Sequence, residues 1–387
     1  MKPFSTSLQF CAAGLLTAAL TIGDVRAETD TIGDLRAETE PRTFFLGEHT
    51  RGSETLFNPG SVFLNLGFDI TRSNSYDNRL LKTDFKTGFS NTMMNLANPI
   101  DAIEQTGGFK EFVAHEFIPI KGLTGKYSQW VPNYFLHLLG EGMLYRKMAE
   151  WYEREGYKTP RIWAASTMLV SALMNETVEN GSFRGGNTDP IADLYFFNPV
   201  GWLLFNSDDV AHFFSDTVEI GFWPGQPSLA VTDIGLYNAG ESYFFRWDPG
   251  PSGNTRLIGY IGTEGLGGLT FGEVDGNAVS VMAGLRTVEI IPIEENGGRI
   301  MVASPSRSNL VMGMFWEDNS SLLASLKVDL GYDPTLRANV YPGLLPTPKV
   351  PIGFFVWASR SGGLVSGIQV GELPMGVSFT VDPPVGI

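Results

Sequence analysis

In the segment "SLLASLKVDLGY", residues 321–332, Leu322, Ala324, Leu326, Val328, Leu330 and Tyr332 share one side of an extended chain, and Ser325, Lys327, Asp329 and Gly331 share the other. Side chains of a strand alternate between two faces, so a run of this length specifies a strand with one apolar and one polar face. "AVSVMAGLRTVEI" and "PMGVSFTV" repeat the pattern, and "SYFFRW", "RLIGYIG", "VMGMFWED" and "GFFVWASR" bring aromatics close to strand ends. Turn-forming stretches such as "WDPGPSGN", "EVDGN", "EENGG" and "SRSGG" separate them. From residue 216 to the end this reads as about ten strands.

Two further strands are expected earlier. In "SVFLNLGFDITR" Val62, Leu64, Leu66, Phe68 and Ile70 alternate with polar or small residues, and in "RLLKTDFKTGF" Leu81, Thr83, Phe85, Thr87 and Phe89 alternate with Lys82, Asp84, Lys86 and Gly88. The polar "RSNSYDN" between them completes an amphipathic hairpin over residues 61–90. The total becomes about twelve strands. Strands with one apolar face, polar turns and terminal aromatics are what an outer-membrane β-barrel requires. A soluble β-sandwich or barrel alternates in the same way and is the competing architecture.

The N-terminus bears on location. Lys2 precedes the apolar "FCAAGLLTAALTIG", the layout of a secretory signal peptide. Cleavage after Ala27 fits the small-residue rule, and the tandem "TIGDVRAETD-TIGDLRAETE" offers Ala37 as a second position. Export to the outer membrane is therefore expected, with the periplasm as the alternative, and residues 28–60 as a lead-in. Cys11 is the single cysteine and lies inside the signal, so the mature chain would have no disulfide, thiolate nucleophile or thiolate metal site. A net charge of −15 argues against nucleic acid as a partner and leaves outer-membrane lipid and a small solute or lipid as the expected ones.

Between residues 91 and 215 the period is helical. "WVPNYFLHLLGEGMLYRKMAEWYEREG" places His137, Glu141, Leu144, Met148 and Trp151 on one stripe and Arg146, Lys147, Glu150, Glu153 and Arg154 on the other. "PRIWAASTMLVSALMNETVENG" has no charge between Arg161 and Glu176 and should be buried nearly all round, ending at Gly181. Its Glu176 and Glu179 then sit at a helix C-terminus, where carboxylates are unfavourable. His137, Arg161, Arg184 or water should compensate them. A third helix begins with Asp189 as an N-cap before Pro190, carries Asp193 one turn on, and should break at Asn198-Pro199, with Gly201 allowing close packing.

These helices offer His137 with Glu141, Glu176 with Glu179, and Asp189 with Asp193. A buried polar network that includes Trp130, Asn133 and Tyr145 is the preferred reading. A divalent metal or an acid/base pair at His137, Glu141, Glu176 and Glu179 is the second. No nucleophile elbow, H-E-x-x-H, P-loop or dinucleotide fingerprint is present. His115 and His212 sit beside apolar residues and read as packed, and His49 as exposed.

Trp130, Asn133 and His137, then Tyr145, then Glu176, then "ADL" at Asp193-Leu194, then Pro199 and Gly201 form a pattern that resembles an uncharacterised family of exported bacterial proteins, a domain of unknown function expected at the outer membrane. The resemblance spans residues 130–205. Leu138 replaces the family's proline after the histidine, and Gly201-Trp202 its glycine pair. It implies location and architecture, not an activity. The combined expectation is a barrel of about twelve strands with helices packed in its lumen or at its periplasmic mouth. Such a protein could be a plugged or gated channel or an envelope structural factor, with a hydrolase of envelope lipid or glycan as the rival.

Overall fold

The computed structural model describes residues 43–47, 51–73, 76–118, 132–181, 183–248, 255–274, 276–287, 290–295, 298–303, 308–331, 333–345 and 350–382. The signal segment, both cleavage positions, Cys11, His49, Trp130 and Tyr332 lie outside them. The described chain is helical up to Thr217 and extended from Ile220 onward.

The hairpin expected over residues 61–90 is instead helical. After a short 3-10 turn, Gly52–Leu56, helix α1 (Pro59–Gly67) runs into a second 3-10 turn, Asp69–Arg72, and helix α2 covers Phe85–Ala97. Local capping overrides the apparent alternation. Asn58 accepts from the Ser61 amide ahead of Pro59, and Asp84 accepts from the Thr87 amide, so both segments carry a start signal that strands lack. Two short helices follow, α3 (Pro99–Gln105) and α4 (Phe109–Glu116).

Helix α5 begins as a π-helical segment, Pro132–Gly140, and continues as an α-helix, Glu141–Arg154. Its polar side is covered, contrary to expectation: Arg146, Lys147 and Glu150 are all buried. Glu150 accepts from the amides of Phe44, Phe45 and Leu46, and Lys147 pairs with Glu54, so the residues ahead of α1 wrap that face. Helix α6 spans Pro160–Asn180. It is not buried all round, because Ile162, Trp163, Leu169 and Val170 are exposed while Ala164, Met168, Ser171 and Ala172 face the core. Freedom from charge marks an apolar surface without saying what covers it.

Helix α7 runs as Asp189–Ala192, a π-helical turn Asp193–Phe197, and Asn198–Phe205. Pro199 therefore does not break it; the missing N–H is accommodated beside the π turn. Gly201 does permit close approach, since a β-carbon there would sit 2.5 Å from the Leu138 carbonyl oxygen. Helix α8 is Asp208–His212, extended by a π turn, Phe213–Thr217. At Gly88 a β-carbon would drive into the Thr177 carbonyl, where α2 crosses α6. Gly88→Ala should lower stability by about 1–2 kcal/mol despite alanine's better helix propensity, read as a drop in melting temperature.

Strand β1 (Gly186–Asn187) lies in the helical block. The strands after it are β2 (Ile220–Phe222), β3 (Ser228–Ala230), β4 (Gly235–Tyr237), β5 (Tyr243–Trp247), β6 (Thr255–Ile261), β7 (Glu264–Val274), β8 (Asn277–Thr287), β9 (Ile290–Glu295), β10 (Gly298–Ala303), β11 (Ser308–Asp318), β12 (Ser321–Asp329), β13 (Leu336–Val340), β14 (Ile352–Ala358), β15 (Leu364–Val370) and β16 (Gly376–Val381). A small sheet joins β1, β10 and β9. The large one has 13 strands in the order β2-β5-β6-β7-β8-β11-β12-β13-β14-β15-β16-β3-β4. β2 and β4 stand at its two ends, and no ladder joins them. All of its pairings are antiparallel except β16 with β3.

The two faces of this sheet differ in chemistry. One register row reads Trp247, Leu257, Leu269, Val281, Met314, Leu326, Ala338, Val356, Ser366 and Phe379 across ten strands, apolar save for Ser366. This is the outward face: Met314 is 50% and Phe379 58% exposed. The inward face mixes buried charge with apolar packing, since Phe244, Ile258, Leu266, Met282, Val311 and Phe315 are buried on it as well. Glu264, Arg286, Lys327 and Arg337 are buried there, with Glu264 2.5 Å from Arg286, 3.2 Å from Lys327 and also paired to Arg337. Arg246 is buried between Glu219 and Glu317.

The residues around α1 fill the space against that inward face. Leu56 packs among Trp223, Phe244, Tyr260, Phe315 and Leu322. Arg51 bonds Asp318 at 2.6 Å, Arg72 reaches Asp69 and Ser242, and Arg286 donates to the Arg72 carbonyl.

Candidate functional site

The site is built where α4, α5, α6 and α7 meet. The π-helical segments at Pro132–Gly140 and Asp193–Phe197 turn His137 and Asp193 toward each other. His137 Nδ1 lies 2.7 Å from Glu141 Oε1 and its Nε2 3.3 Å from Asp193 Oδ2. Burial would lower the His137 pKa, but the Asp193 and Glu141 carboxylates outweigh it and hold the ring well above its usual value. Both ring nitrogens thus face carboxyl groups, Nδ1 that of Glu141 and Nε2 that of Asp193.

Glu116, at the end of α4, is 1% exposed. Its carboxylate accepts from Asn133 at 2.9 Å and from Thr188 at 3.0 Å. Burial first, and Asp189 second, push its pKa up to about 8. Burial also raises Asp193, to about 8, against the pull of His137.

Glu176, Glu179 and Asp189 form the other half. One carboxylate oxygen from each lies within 4.8 Å of the others, and all three residues are buried. Burial raises the Glu176 pKa well above the carboxylate range, and the charges that act on it most strongly, Asp189, Asp193 and Glu179, are negative too. Glu176 and Asp193 share a side-chain hydrogen bond, and Glu141 Oε2 has no hydrogen-bond partner among the described residues. Arg161 and Arg184, expected as compensating cations, are exposed. The N-cap position of α7 falls to Thr188, with no side-chain capping bond, so Asp189 is not the cap that the Asp-Pro pair suggested.

A frame of asparagines holds the loop that delivers Asp189. Asn91 donates to the Asn180 side chain at 2.8 Å and accepts from the Gly185 amide at 2.9 Å. Asn95 accepts from the Asn187 amide at 3.1 Å, and the Asn187 side chain accepts from the Asp189 amide at 3.2 Å. Asn180 donates to the Glu176 carbonyl at 2.8 Å.

No family model, curated protein or solved structure matches the chain. The site therefore has to be read from its own geometry.

The structure brings together His137, Glu141, Asn133, Glu176, Glu179, Asp189 and Asp193. Tyr145 lies apart from them in the core, stacked on Trp202 at 5.9 Å. Sequence reasoning missed Glu116 and the four asparagines; the spacing of Asn91 and Asn95, one turn apart on α2, was the available signal. His115 is 3.5 Å from Glu111. His212 is half exposed beside Asp216 rather than packed. Chemically the cluster is oxygen-rich and electronegative, with the His137 ring on one side.

Proposed function

We propose that this chain is an exported outer-membrane β-barrel, plugged by its own N-terminal residues, that acts as a gated barrel or an envelope structural factor. The observation that carries this reading is the continuous exposed row of apolar side chains on the outward face, with a fully buried charge cluster around Glu264 on the inward one. A soluble sandwich buries the apolar face, and fully buried charges are rare in it. A lipid-facing barrel requires the reverse.

Closure is supported by the hairpin of residues 220–247. Backbone bonds from Trp223 N to Ser242 O at 2.8 Å and from Gly225 N to Gly240 O at 3.0 Å lie between the β2–β5 and β3–β4 ladders. β2 with β3, and β4 with β5, are then two bent strands that pair with each other. One of them continues to β6 and the other to β16. Counted this way, 13 strands become eleven. A ring of alternating strands with an odd count needs one parallel pair, and β16–β3 supplies it. Bacterial barrels usually have even counts, so this parallel seam would be distinctive.

Membrane fractionation with boiled and unboiled gel samples tests the proposal. We expect outer-membrane recovery and faster migration without boiling. Met314→Arg, on the lipid-facing row, should cost about 2–4 kcal/mol of folding stability in a bilayer. A soluble species with unchanged mobility, in which Met314→Arg is neutral as on a wetted surface, would refute it.

A further inference from the structure

We infer that the inward side of the large sheet holds a binding site for one small free oxyanion, of the phosphate class, between Arg72, Lys327, Arg337 and Trp357. All four line one cavity together with Tyr260 and Phe315, and about 40 Å³ of it is open to water-sized groups. That is room for several oxygens. Among the described residues no carboxylate stands on its wall. Arg72 comes from the turn after α1 and the other three from β12, β13 and β14, so a ligand here touches both the plugging segment and the sheet. The site stands apart from the barrel reading, because these elements enclose the cavity whether or not lipid surrounds them.

Charge is the first argument. Glu264 is not on the wall and is shared by Arg286, Lys327 and Arg337, while Arg72 is paired with Asp69. Three cations drawing on one carboxylate leave the cavity side positive, and buried positive charge draws an anion where water is scarce. Hydrogen-bonding capacity points the same way. Lys327 Nζ meets Glu264 at 3.2 Å and the Tyr260 hydroxyl at 3.3 Å, two partners for the three donors of an ammonium. Trp357 is 8% exposed, and its indole N–H, which can only donate, has no hydrogen-bond partner among the described residues. Two guanidinium forks, an ammonium and an indole N–H suit an oxyanion and offer a cation no charged ligand. The anion is free rather than a lipid headgroup, since Lys327 is buried on the inward face while Leu326, next to it, is exposed on the other.

The test uses the full chain, in detergent if it is recovered from membranes, dialysed free of phosphate and titrated calorimetrically with sodium phosphate at constant ionic strength. We expect saturable binding near one phosphate per chain, and a melting temperature that rises with phosphate but not with sodium chloride of equal ionic strength. Lys327→Met should weaken binding at least about tenfold. Trp357→Phe keeps an aromatic ring and removes the N–H, so it should weaken binding about threefold or more while leaving the phosphate-free melting temperature close to that of the wild type. Should Lys327→Met fail to fold, Trp357→Phe decides alone. Absence of saturable phosphate binding by the wild type, wild-type affinity in a folded Lys327→Met or, failing that, in Trp357→Phe, or binding of a short-chain phosphatidic acid but not of inorganic phosphate would each overturn the assignment.

Discussion

Glu264→Ala is expected to lower folding stability by about 3–5 kcal/mol, the usual cost of removing one member of a buried ion cluster. Glu264 is 0% exposed and sits among Arg286, Lys327 and Arg337, with Arg72 close enough to act on it. Without it those cations face one another in an interior with little water. The loss follows from the uncompensated charge rather than from the strength of any one contact, so a second substitution should recover part of it. Arg286→Met in the Glu264→Ala background removes one of the stranded cations and should be less harmful than in the wild type. Arg154 and Glu155, 3.9 Å apart and about half exposed, provide the control. Breaking that pair should cost no more than about 0.5 kcal/mol. Denaturant midpoints of the wild type, both single variants, the double variant and the surface-pair control decide the matter, and a Glu264→Ala midpoint equal to the wild type would remove the charged layer as a stabilising element.

The strands and the helices were not equally legible in the sequence. In β12 the alternation holds from Ala324 to Leu330, where Ser325, Lys327 and Asp329 are buried and Leu326 and Leu330 are exposed, but Leu322, expected on the face of Leu326, is buried beside Leu323 where the register with β11 shifts. Period alone could not say which face was the inner one, because the same alternation serves a wet surface and a lipid surface. The segment from Ser61 was misread for a related reason. Val62 and Leu66 are spaced one helical turn apart as well as lying on one strand face, and the Asn58-Pro59 pair was the stronger signal. In the site, the contact of His137 with Glu141 followed from their i, i+4 spacing. The approach of Glu116 and Asp189 could not, since it depends on how the loop before α7 is held by Asn91 and Asn95, more than ninety positions away, and on the bonds of Glu116 to Asn133 and Thr188.

The folded protein should lose stability as the pH rises, and Glu116 is the group that reports it most cleanly. Its folded pKa of about 8 stands above the ordinary 4.5, owing first to burial and second to Asp189. The folded state therefore retains a proton that the unfolded chain releases. Its contribution is fully present below about pH 4.5 and is lost as the pH climbs through about 8, with a total on the order of 5 kcal/mol. His137 acts in the same direction at higher pH. Its folded pKa lies well above 6.5, so its contribution holds below that value and fades as the pH rises through the folded pKa. Glu116→Gln isolates the first effect, because the amide keeps the shape of the protonated acid, with its oxygen accepting from Asn133 and its NH2 donating to the Thr188 hydroxyl. Wild type and variant should melt together near pH 5, and the variant should be clearly the more stable at pH 9. A constant difference between them across that range would mean that Glu116 titrates as an ordinary carboxylate and that the pocket admits enough water to support its charge.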